Sequence, residues 1–196
     1  MKTRIAGRKV VYSGYVTVSK NNILTGDREI EREIVDQADA AAILPFDPER
    51  KVATLVRLLR APVLLRGLQE ELLEAPAGVI DPGEGAAEAA RRELLEETGL
   101  TPNRVEHVAT VWSTPGVSTE RVALYLATYS PDSRNGEGGG LDGENENITV
   151  VELPLATLAD SRRILDMKTL TLVLAMRLRR PELFGAEAGT SNSTEG

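Results

Sequence analysis

The chain predicts a mixed α/β sandwich. Three observations point there: strand-like runs fill the first third, a helix-periodic segment rich in glutamate follows, and strand-like runs then resume before a closing helix. That order lacks the regular strand–helix alternation of a doubly wound parallel sheet.

Taken in order, residues 10–18 are rich in valine and tyrosine, residues 30–35 alternate apolar and charged side chains, and residues 40–46 and 52–59 are apolar runs. Asn21-Asn22, Thr25-Gly26-Asp27 and Asp47-Pro48 supply turn residues between them. After the Asp81-Pro82-Gly83 turn, residues 85–98 place Ala86, Ala90 and Leu94 four apart, and Gly99 sits where a helix commonly stops. Strand patterns return at 105–112, 122–129 and 148–153. Residues 165–178 read as a closing helix, with Leu165, Leu172, Ala175 and Met176 among its apolar positions. The glycine-rich stretch 130–146 predicts a flexible loop, and the small polar residues 186–196 a disordered tail. We therefore expect an N-terminal strand extension over 1–38, one domain over 39–185, and the tail.

Composition narrows the function. At 196 residues the chain is long enough for one domain with a substantial core, and 41% hydrophobic with 27% charged residues is close to the globular average. No run approaches the roughly 18 apolar residues of a membrane span, and the start lacks the apolar stretch of a secretory signal, so a cytoplasmic address is expected. Cysteine is absent and His107 is the single histidine, which leaves carboxylates to carry any chemistry. A formal charge of −7 argues against a nucleic-acid partner. A small anionic substrate would need a local basic patch helped by a divalent cation.

The informative segment runs from Gly78 to Leu100. On a helix, Glu93, Glu96 and Glu97 are three or four residues apart and share one face. Two unit charges about 4 Å apart repel by roughly 1 kcal/mol in water and roughly 4 kcal/mol at an effective dielectric of about 20, so such a cluster calls for a cation. Mg2+ or Mn2+ suits carboxylate, water and phosphate oxygens. Arg92 is placed to pair with Glu84 or Glu96 and so orient a carboxylate, while Gly78 and Gly83 let the loop approach closely. An ordinary solvated acidic face would explain a loose glutamate pair. It does not explain the full spacing Gly78-x5-Glu84-x7-Arg92-Glu93-Leu94-x-Glu96-Glu97-x-Gly99-Leu100.

That spacing resembles the Nudix hydrolase box without a departure. The resemblance implies a Nudix-type α/β/α sandwich of mixed sheets and attack by water on a nucleoside diphosphate linked to another moiety. It also implies Glu93 and Glu97 as metal ligands, Glu96 as a further ligand or its support, and the Ala77 carbonyl as an additional ligand. Over residues 32–169 the chain is similar to the ADP-ribose and GDP-mannose pyrophosphatase branch. By that similarity Arg60 binds substrate phosphate, and Glu74, in the run LLEAPAGVID, belongs to the substrate site. Pro115 matches a proline that marks ADP-ribose pyrophosphatases, and Glu120 a substrate-contacting glutamate. Glu144 and Glu146 stand where the branch keeps a late glutamate for metal or catalytic water, Glu146 first. Lys168 resembles a substrate-binding lysine of the GDP-mannose enzymes.

Read without the family, Arg60 is equally an exposed strand-end arginine and Lys168 a solvated helix lysine. His107 and Trp112 read as structural. Relatives carry an aromatic near the base at the positions of Ile34 or Val35, which this chain lacks. The resemblance thus implies a Mg-dependent nucleoside-diphosphate-sugar pyrophosphatase, ADP-ribose ahead of GDP-mannose, forming a homodimer by exchange of N-terminal strands. A nucleotide-sugar sensor without catalysis is the alternative of another class.

Overall fold

A computed structural model describes residues 2–68, 71–140 and 147–185; the expected tail, Glu144 and Glu146 lie outside the described residues. The chain opens with an antiparallel sheet of β1 (Thr3–Ser13), β2 (Thr17–Thr25) and β3 (Arg28–Asp36), in that spatial order. Residues 10–18, expected as one strand, are two strands around a turn where the Gly14 amide donates to the Val16 carbonyl (3.0 Å). Asn21-Asn22 is not a turn either. It lies inside β2, where Asn21 Nδ2 donates to the Ser19 hydroxyl (2.8 Å) and carbonyl (3.1 Å), so pairing on both sides overrides the local preference for a turn. The turn at Gly26, with φ +58°, forms as expected.

The main sheet has seven strands. Its spine runs β10 (Thr149–Pro154), β5 (Val52–Leu58), β4 (Ala40–Asp47), β9 (Arg121–Thr128), β8 (Arg104–Trp112). Within it β4 and β9 are parallel, and the other pairings are antiparallel, which excludes a doubly wound arrangement. β4 and β5 are hydrogen-bonded at Phe46–Ala53 and Asp47–Val52 and then diverge. The wedge between them is filled by β6 (Leu72–Glu74), which pairs with β5, and β7 (Ala77–Val79), which pairs with Ala40, Ala41 and Ala42 of β4.

Two-residue periodicity divides the core. Ala40, Ala42, Leu44 and Phe46 of β4 pack with Leu155 and Leu158 of α3 (Leu155–Leu158) and with Leu172, Val173 and Met176 of α4 (Met167–Arg179). Ala41 and Ile43 turn the other way, against Ala89, Ala90 and Leu94 of α2 (Ala86–Thr98). Helices on both faces of one mixed sheet make the expected α/β/α sandwich. A five-residue helix, α1 (Ala61–Leu65), was not anticipated; it begins where Pro62 presets helical φ behind Arg60. Among the described residues no helix is long and apolar enough to cross a membrane.

The C-terminal end of α2 shows why residues 130–140 differ from the expected flexible loop. Gly99 (φ +70°) closes the helix, its amide donating to the Leu95 carbonyl (2.8 Å). The amides of Gly139 and Gly140 then donate to the Glu97 (2.8 Å) and Glu96 (3.1 Å) carbonyls, and Arg134 donates to the Thr98 carbonyl (3.1 Å). Gly138, Gly139 and Gly140 all have positive φ, which glycine adopts without strain, and this backbone brings two of their amides to the helix end as caps. A side chain at Gly99 would also strike the Gly136 backbone. Gly99→Ala should therefore cost about 1–3 kcal/mol, read as a lower denaturant midpoint with an unchanged m-value.

Candidate functional site

At the Ala40 end of β4 the divergence of the sheet opens a cavity of about 1090 Å³, at the upper end of the size usual for small-molecule sites. One wall is α2. Its apolar positions Ala89, Ala90 and Leu94 face the sheet, and the helical repeat then turns Glu93, Glu96 and Glu97 along the cavity. Glu97 is only 5% exposed, yet it reaches the lining. Ala77 and Gly78 of β7 form the adjoining edge, and a side chain on Gly78 would occupy the space of the Glu93 carboxylate.

Arg92 organises this wall. Its Nε and Nη2 donate to the two Glu84 oxygens (3.0 Å each), and Nη1 donates to Glu93 Oε1 (2.7 Å) and Glu96 Oε2 (3.2 Å). Nη2 also donates to the Val79 carbonyl (2.9 Å). The sequence left open whether Arg92 pairs with Glu84 or Glu96; it binds both, and Glu93 as well. Its guanidinium holds the Glu84 carboxyl below the usual carboxylate range, assisted by the Asp81 amide and opposed by burial. The same carboxylate accepts from the Asp81 amide (3.1 Å), and the Glu84 amide donates back to the Asp81 carbonyl (2.9 Å), so the turn before α2 is tied to the helix by one arginine.

The facing wall carries two cations, Arg60 and Lys168, with the Asp166 carboxylate beside them. Arg60 and Lys168, which the sequence could not separate from solvated surface residues, both line the cavity. Glu74 does not touch it. Glu74, expected in the substrate site, has a buried carboxylate that accepts from Arg60 Nε (2.9 Å), Arg60 Nη2 (3.0 Å) and Lys168 Nζ (3.0 Å). Burial opposes the Lys168 ammonium, but the neighbouring charges of Glu74 and Asp166 outweigh it and raise its pKa. Burial likewise opposes the Asp166 carboxylate, while the Lys168 charge and hydrogen bonds from Lys168 and Thr169 bring its pKa down.

The lining also includes Glu120, one of the expected site residues, and Trp112, which was not among them. Trp112, read as a half-buried structural residue, is 54% exposed on the cavity lining. Tyr15, at the β1–β2 turn and 91% exposed, lines it too. Pro115, expected in the substrate site, is exposed and off the lining. It belongs to a turn in which the Val117 and Ser118 amides donate to the Thr114 carbonyl (3.0 and 2.8 Å). That turn also pairs with β3: the Val35 amide donates to the Val117 carbonyl (2.8 Å) and the Thr119 amide to the Val35 carbonyl (3.0 Å), joining the N-terminal sheet to the cavity rim. His107 is structural, bonded to the Thr110 hydroxyl (3.0 Å) and edge-on to Tyr125.

Among the described residues no three acids already converge at metal-ligand spacing. The donor chemistry nevertheless fits a hard divalent cation. Two carboxylates on successive turns of one helix, Glu93 and the nearly buried Glu97, share an edge of the cavity with the backbone of Ala77, and all are oxygen donors. A carboxylate this buried is tolerated where positive charge stands close to it.

Comparison with known proteins agrees with this geometry. The NUDIX domain profile matches residues 36–168. A GDP-mannose pyrophosphatase of Cronobacter sakazakii is 36% identical over 153 residues, spanning 76% of this chain and 78% of the relative. An ADP-ribose pyrophosphatase of Escherichia coli is 32% identical over 152 residues, spanning 74% and 72%. A solved structure described as an ADP compounds hydrolase superposes with a TM-score of 0.73 over 93% of this chain and 96% of the other, at 21% identity, a likeness of fold. With the domain matched over most of its length and its box on a cavity wall, this chain belongs to the Nudix family.

Proposed function

We propose that this Nudix enzyme hydrolyses the diphosphate bond of a nucleoside diphosphate sugar, ADP-ribose to AMP and ribose 5-phosphate before GDP-mannose to GMP and mannose 1-phosphate. The observation that carries this reading is the opposition of two walls across one cavity, glutamates on α2 and the Arg60–Lys168 cations facing them. An anionic diphosphate is suited by donors on one side and needs a divalent ion on the other. Nudix hydrolases in general use divalent metal ions. Here Mg2+, with Mn2+ as substitute, would be held by Glu93, Glu97 and the Ala77 carbonyl, supported by Glu96, and would neutralise phosphate charge and polarise phosphorus.

The chain's own residues do the rest. Arg92 keeps Glu93 and Glu96 in fixed rotamers through its fork. Arg60 and Lys168 orient the diphosphate and the sugar, and Glu120 accepts from sugar hydroxyls. A late glutamate, Glu146 before Glu144, takes the proton of the attacking water. Water oxygen bonds to phosphorus, the bridging oxygen leaves with its electron pair, and two phosphomonoesters result. The Trp112 ring offers the flat apolar face that a base requires, in a chain without an aromatic at Ile34 or Val35. The place of Lys168 on the lining favours GDP-mannose as the second substrate. A cytoplasmic location and the absence of nucleic-acid and membrane partners belong to the same reading.

A panel of nucleotide sugars with Mg2+ and a coupled phosphatase should give turnover with ADP-ribose and a loss of at least about 100-fold in Glu97→Gln. No turnover of any member would remove the assignment, and tight binding without products would make the protein a sensor. In the same assay Trp112→Ala should raise KM about tenfold; an unchanged KM would place the base elsewhere.

A homodimer completes the proposal. Ile5, Val10, Val11 and Tyr12 of β1 are exposed apolar side chains on a strand whose outer edge is unpaired among the described residues. A second copy would cover them. Sedimentation at micromolar concentration should give twice the chain mass; a monomer there contradicts it.

A further inference from the structure

The cationic wall of the cavity is tied together by a circuit of hydrogen bonds that links Arg60, Glu74 and Lys168 to Asp166 and Thr169. Arg60 precedes α1, Glu74 ends β6, and Asp166 caps α4 two residues before Lys168. Lys168 Nζ donates to Glu74 Oε2 (3.0 Å) and to Asp166 Oδ1 (2.8 Å). The second Asp166 oxygen accepts from the Thr169 amide (2.9 Å) and hydroxyl (2.7 Å), and the Thr169 oxygen accepts from the Ala75 amide (2.7 Å), next to Glu74. The circuit therefore returns to the strand it started from. Arg60 is fastened to the same Glu74 carboxylate by its fork, at 2.9 and 3.0 Å.

We propose that Glu74 and Asp166 are positioning residues, which hold the Arg60 guanidinium and the Lys168 ammonium as one fixed cationic pair on the cavity wall. The inference rests on the reading of the site as a diphosphate pocket. Arginine and lysine stems lose rotamer freedom when they bind an anion, and ordering them beforehand removes that cost from the binding step. The two acids balance the two cations in charge, so the gain is geometric and local, not a long-range pull. Glu74 is suited to this because it is buried: it never meets the substrate, and its strand is paired with β5 through Val56.

Binding of the α,β-methylene analogues of ADP-ribose and GDP-mannose, with a CH2 in place of the bridging oxygen, tests the pair by calorimetry in Mg2+, beside steady-state kinetics. Glu74→Gln, which keeps size and loses charge, should weaken binding of the preferred analogue and raise KM about tenfold, with kcat within about threefold. Asp166→Asn keeps the helix cap and should weaken binding about fivefold in the wild type but less than about twofold in Lys168→Met, because Asp166 acts through Lys168. An unchanged Kd in both single variants overturns the inference, and so does an Asp166→Asn effect equally large in the Lys168→Met background, which would be capping alone. Should Glu74→Gln fail to fold, the Asp166–Lys168 comparison decides. Binding without turnover refutes the hydrolase reading while leaving the Kd comparison to judge the pair. A wild type that binds neither analogue overturns both.

Discussion

Three carboxylates on one side of α2 repel one another, and their repulsion sharpens as the surroundings lose water; Glu97 is nearly buried. The structure around them is arranged to tolerate this. Arg92 spreads one positive charge over Glu84, Glu93 and Glu96. Gly78 leaves room for the Glu93 carboxylate, and the amides of Gly139 and Gly140 satisfy the Glu97 and Glu96 carbonyls at the end of the helix that carries the cluster. Arg92 is a brace for these side chains and does not cancel them, because one guanidinium serves the three acids Glu84, Glu93 and Glu96. The remaining negative charge is what suits the wall to a divalent ion.

The cavity itself follows from strand geometry. β4 and β5 leave their shared hairpin and part, so two short strands, one on each, are needed to fill the wedge. Chain passing from β6 to β7 carries Glu74 to the cationic side and Ala77 and Gly78 to the acidic side within a few residues. A single segment thus ties both walls to the sheet, and their spacing depends on a backbone that is hydrogen-bonded at either end. Ala40, Val122 and Leu124 supply the floor from the two parallel strands, rigid elements on which a site can be held to a narrow geometry.

Local pattern was enough for the box helix and for much of the sheet. α2 starts and stops where its alanine periodicity and Gly99 indicate, and β4, β5, β8, β9 and α4 fall within two residues of the apolar runs that announce them. The misreadings are of one kind. Asn21 looks like a turn residue until strands flank it on both sides, and Gly138–Gly140 look like slack until the free carbonyls of α2 are set beside them. The partners of Glu74 are likewise hidden when only its neighbours in sequence are considered. Its true partners are Arg60, fourteen residues away, and Lys168, ninety-four residues away.

By itself the sequence determined the chemistry: oxygen ligands at helical spacing, an arginine among them, and no thiol or second imidazole to compete, because residue type and a 3.6-residue repeat need no knowledge of the rest of the chain. Only the tertiary structure decided which side chains face the cavity. Trp112 and Lys168 reach it, Pro115 and Glu74 do not, since that depends on where β4 and β5 part and on how α4 docks across the sheet. Contacts between residues far apart in the chain have no signature in local spacing, and it is such contacts, Arg60 and Lys168 on Glu74 and Thr169 on Ala75, that join the cationic wall together.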